Sequence, residues 1–171
     1  DKTIPVQPCE LTLPNGVYLG MDYETAVRKA QSYQTSRVWR GRMPGDNFTV
    51  DGVSYYFSPD SDRVLRLDSV DITPSADSGT FSPSFLRGAA IGSSLQSILD
   101  TIPVDSQVQL LTLPQEYYRT QDLYGSNAAA SYAFLGAGTN YHLNFYTGNF
   151  SASLRFDDSD TVIEIFLSVR H

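Results

Sequence analysis

Two stretches of the chain alternate apolar and polar side chains with a period of two, and both follow one grammar. Over 149–170, Ala152, Leu154 and Phe156 alternate with Ser151, Ser153 and Arg155. After an acidic turn, Ile163, Ile165, Leu167 and Val169 alternate with Val162, Glu164, Phe166 and Ser168. Period two marks a half-buried strand, and the β-branched and aromatic residues favour strand over helix. Over 53–70, Val53, Tyr55 and Phe57 alternate with Ser54 and Tyr56, and Val64-Leu65-Arg66-Leu67 follows a second acidic turn. Each copy reads Phe, a loop containing Asp-Ser-Asp, one residue, Val, aliphatic, charged, aliphatic. Short Asp and Ser side chains suit such turns because they bond back to local amides.

A helical stripe precedes each copy. Apolar residues fall at 23, 26, 27 and 30, and again at 95, 98, 99 and 102. Both sets follow the i, i+3, i+4, i+7 spacing of one helix face. The spacing predicts helices over 22–33 and 93–102, with Asp22 capping the first and Ser93 with Gln96 forming a capping box on the second. Phe48-Thr49-Val50 and 53–57 flank Asp51-Gly52, a type I′ hairpin signal. Further strands are expected at 63–72, 107–113, 131–135, 140–147, 150–156 and 162–169, with an edge strand at 9–13.

These elements predict an α+β fold: a tandem repeat of helix plus antiparallel sheet units, helices on one face and the other sheet face largely open. Residues 1–16 read as a flexible leader, 17–72 as the first repeat and 73–88 as a Ser-, Pro- and Gly-rich linker tacked down by Phe81 and Phe85. Residues 89–171 read as the second repeat, carrying an insertion at 114–131. Units this short bury little core alone, so the two are expected to share one.

The side of the sheet away from the helices is the candidate site. It is expected to present Tyr56 and Arg66 from the first unit, and His142, Asn144, Tyr146, Arg155, Glu164 and Phe166 from the second. Tyr117, Tyr118 and Tyr124 of the insertion join the list as interface-type residues. Tyr, Phe and Arg are enriched at the centres of protein interfaces.

Composition narrows the classes. The net charge is −7, which argues against nucleic acid or an anionic membrane as partner. One cysteine, Cys9, rules out a disulfide within the chain and a cysteine-based metal site. It is either an exposed thiol or a small buried side chain, with burial favoured. No apolar run is long enough for a transmembrane helix. Nucleophile-elbow, zinc-protease and phosphate-loop motifs are absent, and the acidic turns read as solvated hairpin turns rather than Ca²⁺ loops. No cofactor and no metal are expected. Starting at Asp1, with two lysines and many Tyr, Ser, Asn and Thr residues, the chain reads as an exported bacterial protein, extracellular or in the cell envelope, with a lipid anchor upstream as an option.

The opening Gly20-Met21-Asp22-Tyr23-Glu24, with Val27, followed by these strands, resembles β-lactamase inhibitory protein and the small outer-membrane assembly lipoproteins of the SmpA type. Gly92 and Leu99 echo the same start. The resemblance covers most of 17–170. It implies helices packed on an antiparallel sheet and a non-enzymatic protein that binds another protein on the concave sheet face. The inhibitor's units each carry a disulfide, which one cysteine forbids here, so its target is not carried over. The leading expectation is a protein-binding module. The alternative is a small-ligand-binding or enzymatic α+β domain, with a pocket between the repeats lined by Trp39 and the Tyr-rich insertion.

Overall fold

The protein is described from a computed structural model that covers residues 6–33, 39–40, 47–74, 85–102, 130–135 and 140–169. It is an α+β fold. The strands are β1 Trp39–Arg40, β2 Asn47–Val50, β3 Val53–Pro59, β4 Leu65–Ile72, β5 Ala130–Leu135, β6 Asn140–Thr147, β7 Phe150–Phe156 and β8 Val162–Val169. They form one sheet in the order β1-β2-β3-β4-β8-β7-β6-β5, antiparallel throughout. The helices are α1 Tyr23–Tyr33 and α2 Leu95–Thr101.

Both helices pack on the same side of this sheet. Ala26, Val27 and Ala30 of α1 and Leu95 and Ile98 of α2 enter one core with Phe48, Tyr55, Phe57, Leu67, Leu154, Phe156, Ile165 and Leu167. Tyr23 meets Phe57 edge-on, with ring centroids 4.9 Å apart, and Phe48 stacks on Tyr55 at 4.6 Å. Such contacts add about 0.5–1.5 kcal/mol each to plain area burial. Burial shifts the Tyr55 hydroxyl upward, to a pKa of about 12, although Asn15 Nδ2 donates to it at 3.0 Å.

Two local arrangements occur in both halves. Gly20 N donates to Leu67 O and Leu67 N to Met21 O, each at 2.8 Å; Gly92 N donates to Val162 O at 2.8 Å and Val162 N to Ser93 O at 2.9 Å. Gly20 and Gly92 both have φ +88°, a left-handed backbone that a Cβ would strain. In the first acidic turn Asp60 Oδ1 accepts from Asp62 N and Val64 N, both at 2.9 Å. In the second, Asp157 Oδ1 accepts from Ser159 N at 2.9 Å and Thr161 N at 3.0 Å. Arg63 and Asp160 take positive φ at the same point of the turn, 63° and 58°.

Several expectations are corrected. The 9–13 edge strand is a 3₁₀ turn, Pro8–Leu11, because Pro8 lacks the N–H that a strand ladder uses. Of the 1–16 segment, residues 6–16 are described, and Val6, Leu11 and Leu13 among them are buried. Glu10 fastens this segment: Arg87 Nε donates to its Oε2 at 2.9 Å and Arg87 Nη1 reaches Thr101 O at 3.1 Å. Cys9 is exposed. Ser94, not Ser93, caps α2 by accepting from Ser97 N at 3.2 Å, while Ser93 Oγ accepts from Ala90 N. Asp22 caps α1 as expected, accepting from Thr25 N at 3.0 Å. Asp51 and Gly52 both have positive φ, as a type I′ turn requires. The 107–113 strand, Phe81 and residues 114–129 of the 114–131 insertion lie outside the described residues, while Ala130 and Ser131 open β5.

Candidate functional site on the open sheet face

Direct partners in an antiparallel ladder share a face, so the register sorts the open side into rows. One row runs Tyr56, Ser69, Ser168, Ser151, with Tyr146 as the next register partner. The adjacent row runs Ser54, Asp71, Phe166, Ser153, then Asn144. A third holds Glu164 and Arg155, then His142. Ser151 and Ser168 share a hydrogen bond of 2.7 Å between hydroxyls, and Thr49 and Ser54 one of 2.8 Å. Small hydroxyl side chains thus floor the face, and larger groups rise from it. Tyr56 is 38% exposed and Phe166 37%.

Of the residues expected here, Tyr56, Phe166, Arg155 and Glu164 are brought onto one face. His142 and Tyr146 occupy the register positions beside Arg155 and Ser151. Arg66 lies on the same side, paired with Ser58, but near the tip of the β3–β4 hairpin, where its Nε donates to Asp60 Oδ2 at 3.0 Å. That bond, with the Val64 and Asp62 amides, holds the Asp60 carboxyl below its ordinary range. Tyr117, Tyr118 and Tyr124 lie outside the described residues. The oxygens of Asp60 and Asp157 serve their own turns, and among the described residues no three potential metal ligands converge.

Asp71 is the residue that sequence reasoning missed. Period two through Leu65, Leu67 and Ser69 assigns Asp71 to the core-facing set. A bulge intervenes: Tyr56 pairs with Ser69 but Phe57 pairs with Leu67, leaving Asp68 as the extra residue. A bulge reverses the phase of everything beyond it. Val70 and Ile72 therefore point into the core, and Ser69 and Asp71 belong to the open side. A second bulge, between Arg155 and Phe156, leaves Ile163 as the extra residue and brings Glu164 into line with Arg155.

Arg155, Glu164 and Asp71 form a charged cluster where β7, β8 and β4 lie side by side. Arg155 Nε stands 2.8 Å from Glu164 Oε2, an ion pair without an aligned hydrogen bond at that nitrogen. Asp71 Oδ1 is closed off from solvent and receives no donor. Desolvation, followed by the negative charge of Glu164 and a hydrogen bond with it, pushes the Asp71 carboxyl up to about 6, against the pull of Arg155.

A separate apolar cleft of about 200 Å³ is lined by Pro8, Cys9, Leu11, Thr12, Tyr18, Leu19 and Phe150. It is smaller than the ~300–1,000 Å³ usual for ligand sites, and Cys9 is its one reactive group. Among the described residues no helix is long and apolar enough to cross a membrane.

No family profile matches the chain, and no curated protein sequence matches it. Among solved structures, a cysteine-rich secretory protein from Staphylococcus aureus is similar, with 16% sequence identity and a TM-score of 0.47. The likeness covers 98% of this chain and 48% of that protein, so the chain spans about half its length.

Proposed function

We propose that the chain is an exported, non-enzymatic bacterial module that recognises another protein through the open face of its sheet. The observation that carries the reading is the pair of exposed aromatics, Tyr56 and Phe166, on the side of the sheet that the two helices leave uncovered. Aromatic anchors set among small hydroxyls and one ion pair have the composition of an interface centre. The cluster of Asp71, Glu164 and Arg155 lies on this face, outside the apolar cleft, and the non-enzymatic reading rests on that placement. Export, with an envelope or extracellular location, rests on composition.

The same proposal includes a duplicated helix-and-sheet unit. The paired Gly20/Gly92 loops and the paired Asp60/Asp157 turns support it, as does the β4–β8 register. If Leu67 is matched with Val162, as their loop contacts suggest, then Asp71 matches Phe166 and Val70 matches Ile165. Asp71 pairs with Phe166, and Val70–Leu167 maps onto Ile72–Ile165, so the register is consistent with a local twofold passing between Asp71 and Phe166.

The test is capture of partners from the source organism's envelope by wild type and by a Tyr56→Ala/Phe166→Ala variant, folding checked by circular dichroism. Loss of a specific partner with the variant is expected. Equal recovery of every partner by both proteins refutes the sheet-face reading.

A further inference from the structure

The β4–β8 junction carries two carboxyls and one guanidinium. Asp71 and Glu164 sit diagonally across it, since Asp71 pairs with Phe166 and the next strand residue on that face is Glu164. Diagonal neighbours lie within reach of longer side chains. Arg155 neutralises Glu164 at 2.8 Å, which leaves Asp71 as the uncompensated charge. Its Oδ1 has neither solvent nor a donor. An ionised oxygen in that position costs more than the carbonyl oxygen of a neutral acid. A proton on Asp71 removes the charge and supplies a donor toward Glu164.

We propose that Asp71 carries a proton directed at Glu164 across the β4–β8 junction, and that its release to solvent is a pH-operated change in the charge of the open face. With the proton in place the cluster of Asp71, Glu164 and Arg155 is neutral. Without it the cluster carries one negative charge directly beside Phe166. The carboxyl's position at about 6 sets the range in which the change occurs. A face of this kind takes up a basic side chain of a partner more readily above that range than below it.

Each neighbouring element contributes its own groups around the pair. On β4, Arg66 is bound to Asp60 at the hairpin tip, and Asp68 sits at the bulge. On β3 the neighbours are Ser54 and Tyr56. On β8 the other neighbour on this face is Phe166, and on β7 Ser153 separates Arg155 from Ser151. On β6 the register partner of Arg155 is His142, an imidazole that the titration below follows separately. The two helices pack against the opposite face.

The meaning for recognition rests on the reading of this face as a protein-binding surface; the proton itself needs no partner. The test is an NMR titration of the full chain from pH 3 to 9 that follows the assigned Asp71 side-chain carboxyl carbon and the assigned His142 ring signals. Asp71 is expected to titrate near 6, about two units above an ordinary aspartate. Glu164→Gln lowers its midpoint by about one unit, as strongly interacting sites do, and Arg155→Gln raises it. An Asp71 midpoint near 4 in wild type overturns the proposal, as does a midpoint that neither variant moves, or a transition near 6 confined to the His142 ring. A failed partner capture with this titration intact refutes only the binding reading.

Discussion

Asp71 and Phe166 are direct partners across the β4–β8 junction, so an exposed aromatic stands beside a carboxyl with one oxygen closed to solvent. Apolar and desolvated acidic groups in contact make this the point of the open face where pH and stability are coupled. The folded Asp71 keeps its proton to about 6, whereas an unfolded aspartate loses it near pH ~3.9. The stabilisation is therefore fully present below about pH 4 and is lost as pH rises to about 6. Because the group is only partly buried, the change is about 1 kcal/mol after solvent screening. Asp71→Asn is neutral at every pH. Urea melts at pH 4, 5, 6 and 7 are expected to show wild type losing stability relative to the variant across that interval.

Glu10 works in the opposite sense. Burial raises its carboxyl, but the hydrogen bond and charge of Arg87 and the Gln7 amide outweigh that and hold it below its ordinary value. Its contribution is present at neutral pH and is lost as pH falls through its folded value. Glu10→Gln is expected to lower stability at pH 7 by about 1 kcal/mol. The difference from wild type should shrink as pH falls below the ordinary glutamate range and vanish once it passes the lowered folded value, as read by thermal melts.

Phe156 is fully buried, between Val162 and Tyr141 in the ladder. Phe156→Ala leaves a cavity and is expected to cost about 3–5 kcal/mol, measured by chemical denaturation. A cost below about 1 kcal/mol would contradict the packing described.

The two acidic turns make a paired prediction. Asp157→Ala removes acceptors for two amides and is expected to cost about 1 kcal/mol. Arg63 has φ 63° and is exposed. Arg63→Gly relieves that left-handed strain while increasing the freedom of the unfolded chain, so a net stabilisation of up to about 1 kcal/mol is expected.

Cys9 is exposed on the Pro8–Leu11 turn. The folded protein is expected to react with one equivalent of a thiol reagent without denaturant, at a rate that unfolding does not raise about tenfold. Slow labelling that urea accelerates would mean that the turn is closed over the sulfur.

Regular alternation and helical stripes were legible. The strands at 140–147, 150–156 and 162–169 and both helices fall where the pattern places them, and Tyr56, Arg155, Glu164 and Phe166 share the open side. Register was less legible. Aligning the two Asp-Ser-Asp loops matches Asp60 with Asp158, yet the residue that organises the second turn as Asp60 does the first is Asp157. Aspartate repeats within each loop, so composition alone cannot say which carboxylate bonds the amides. The bulges at Asp68 and Ile163 were also hidden, because a bulge leaves no mark on side-chain type. That concealed Asp71 and with it the most perturbed carboxyl of the face. The prolines within 1–16 read as turn formers, but Leu11 and Leu13 supply burial that a count of turn-forming residues does not register.

The seam that joins β4 to β8 has a consequence for how the chain reaches its native state. Ser69 meets Ser168 and Ile72 meets Ile165, so one flank of β4 stays without a ladder partner until the chain has been made through residue 169. Pairings between such distant positions close slowly, and an unpaired strand edge invites pairing with other chains in the interval. A holding factor that keeps nascent chains apart would shield that flank, and its removal during refolding at high concentration should favour aggregates over monomer.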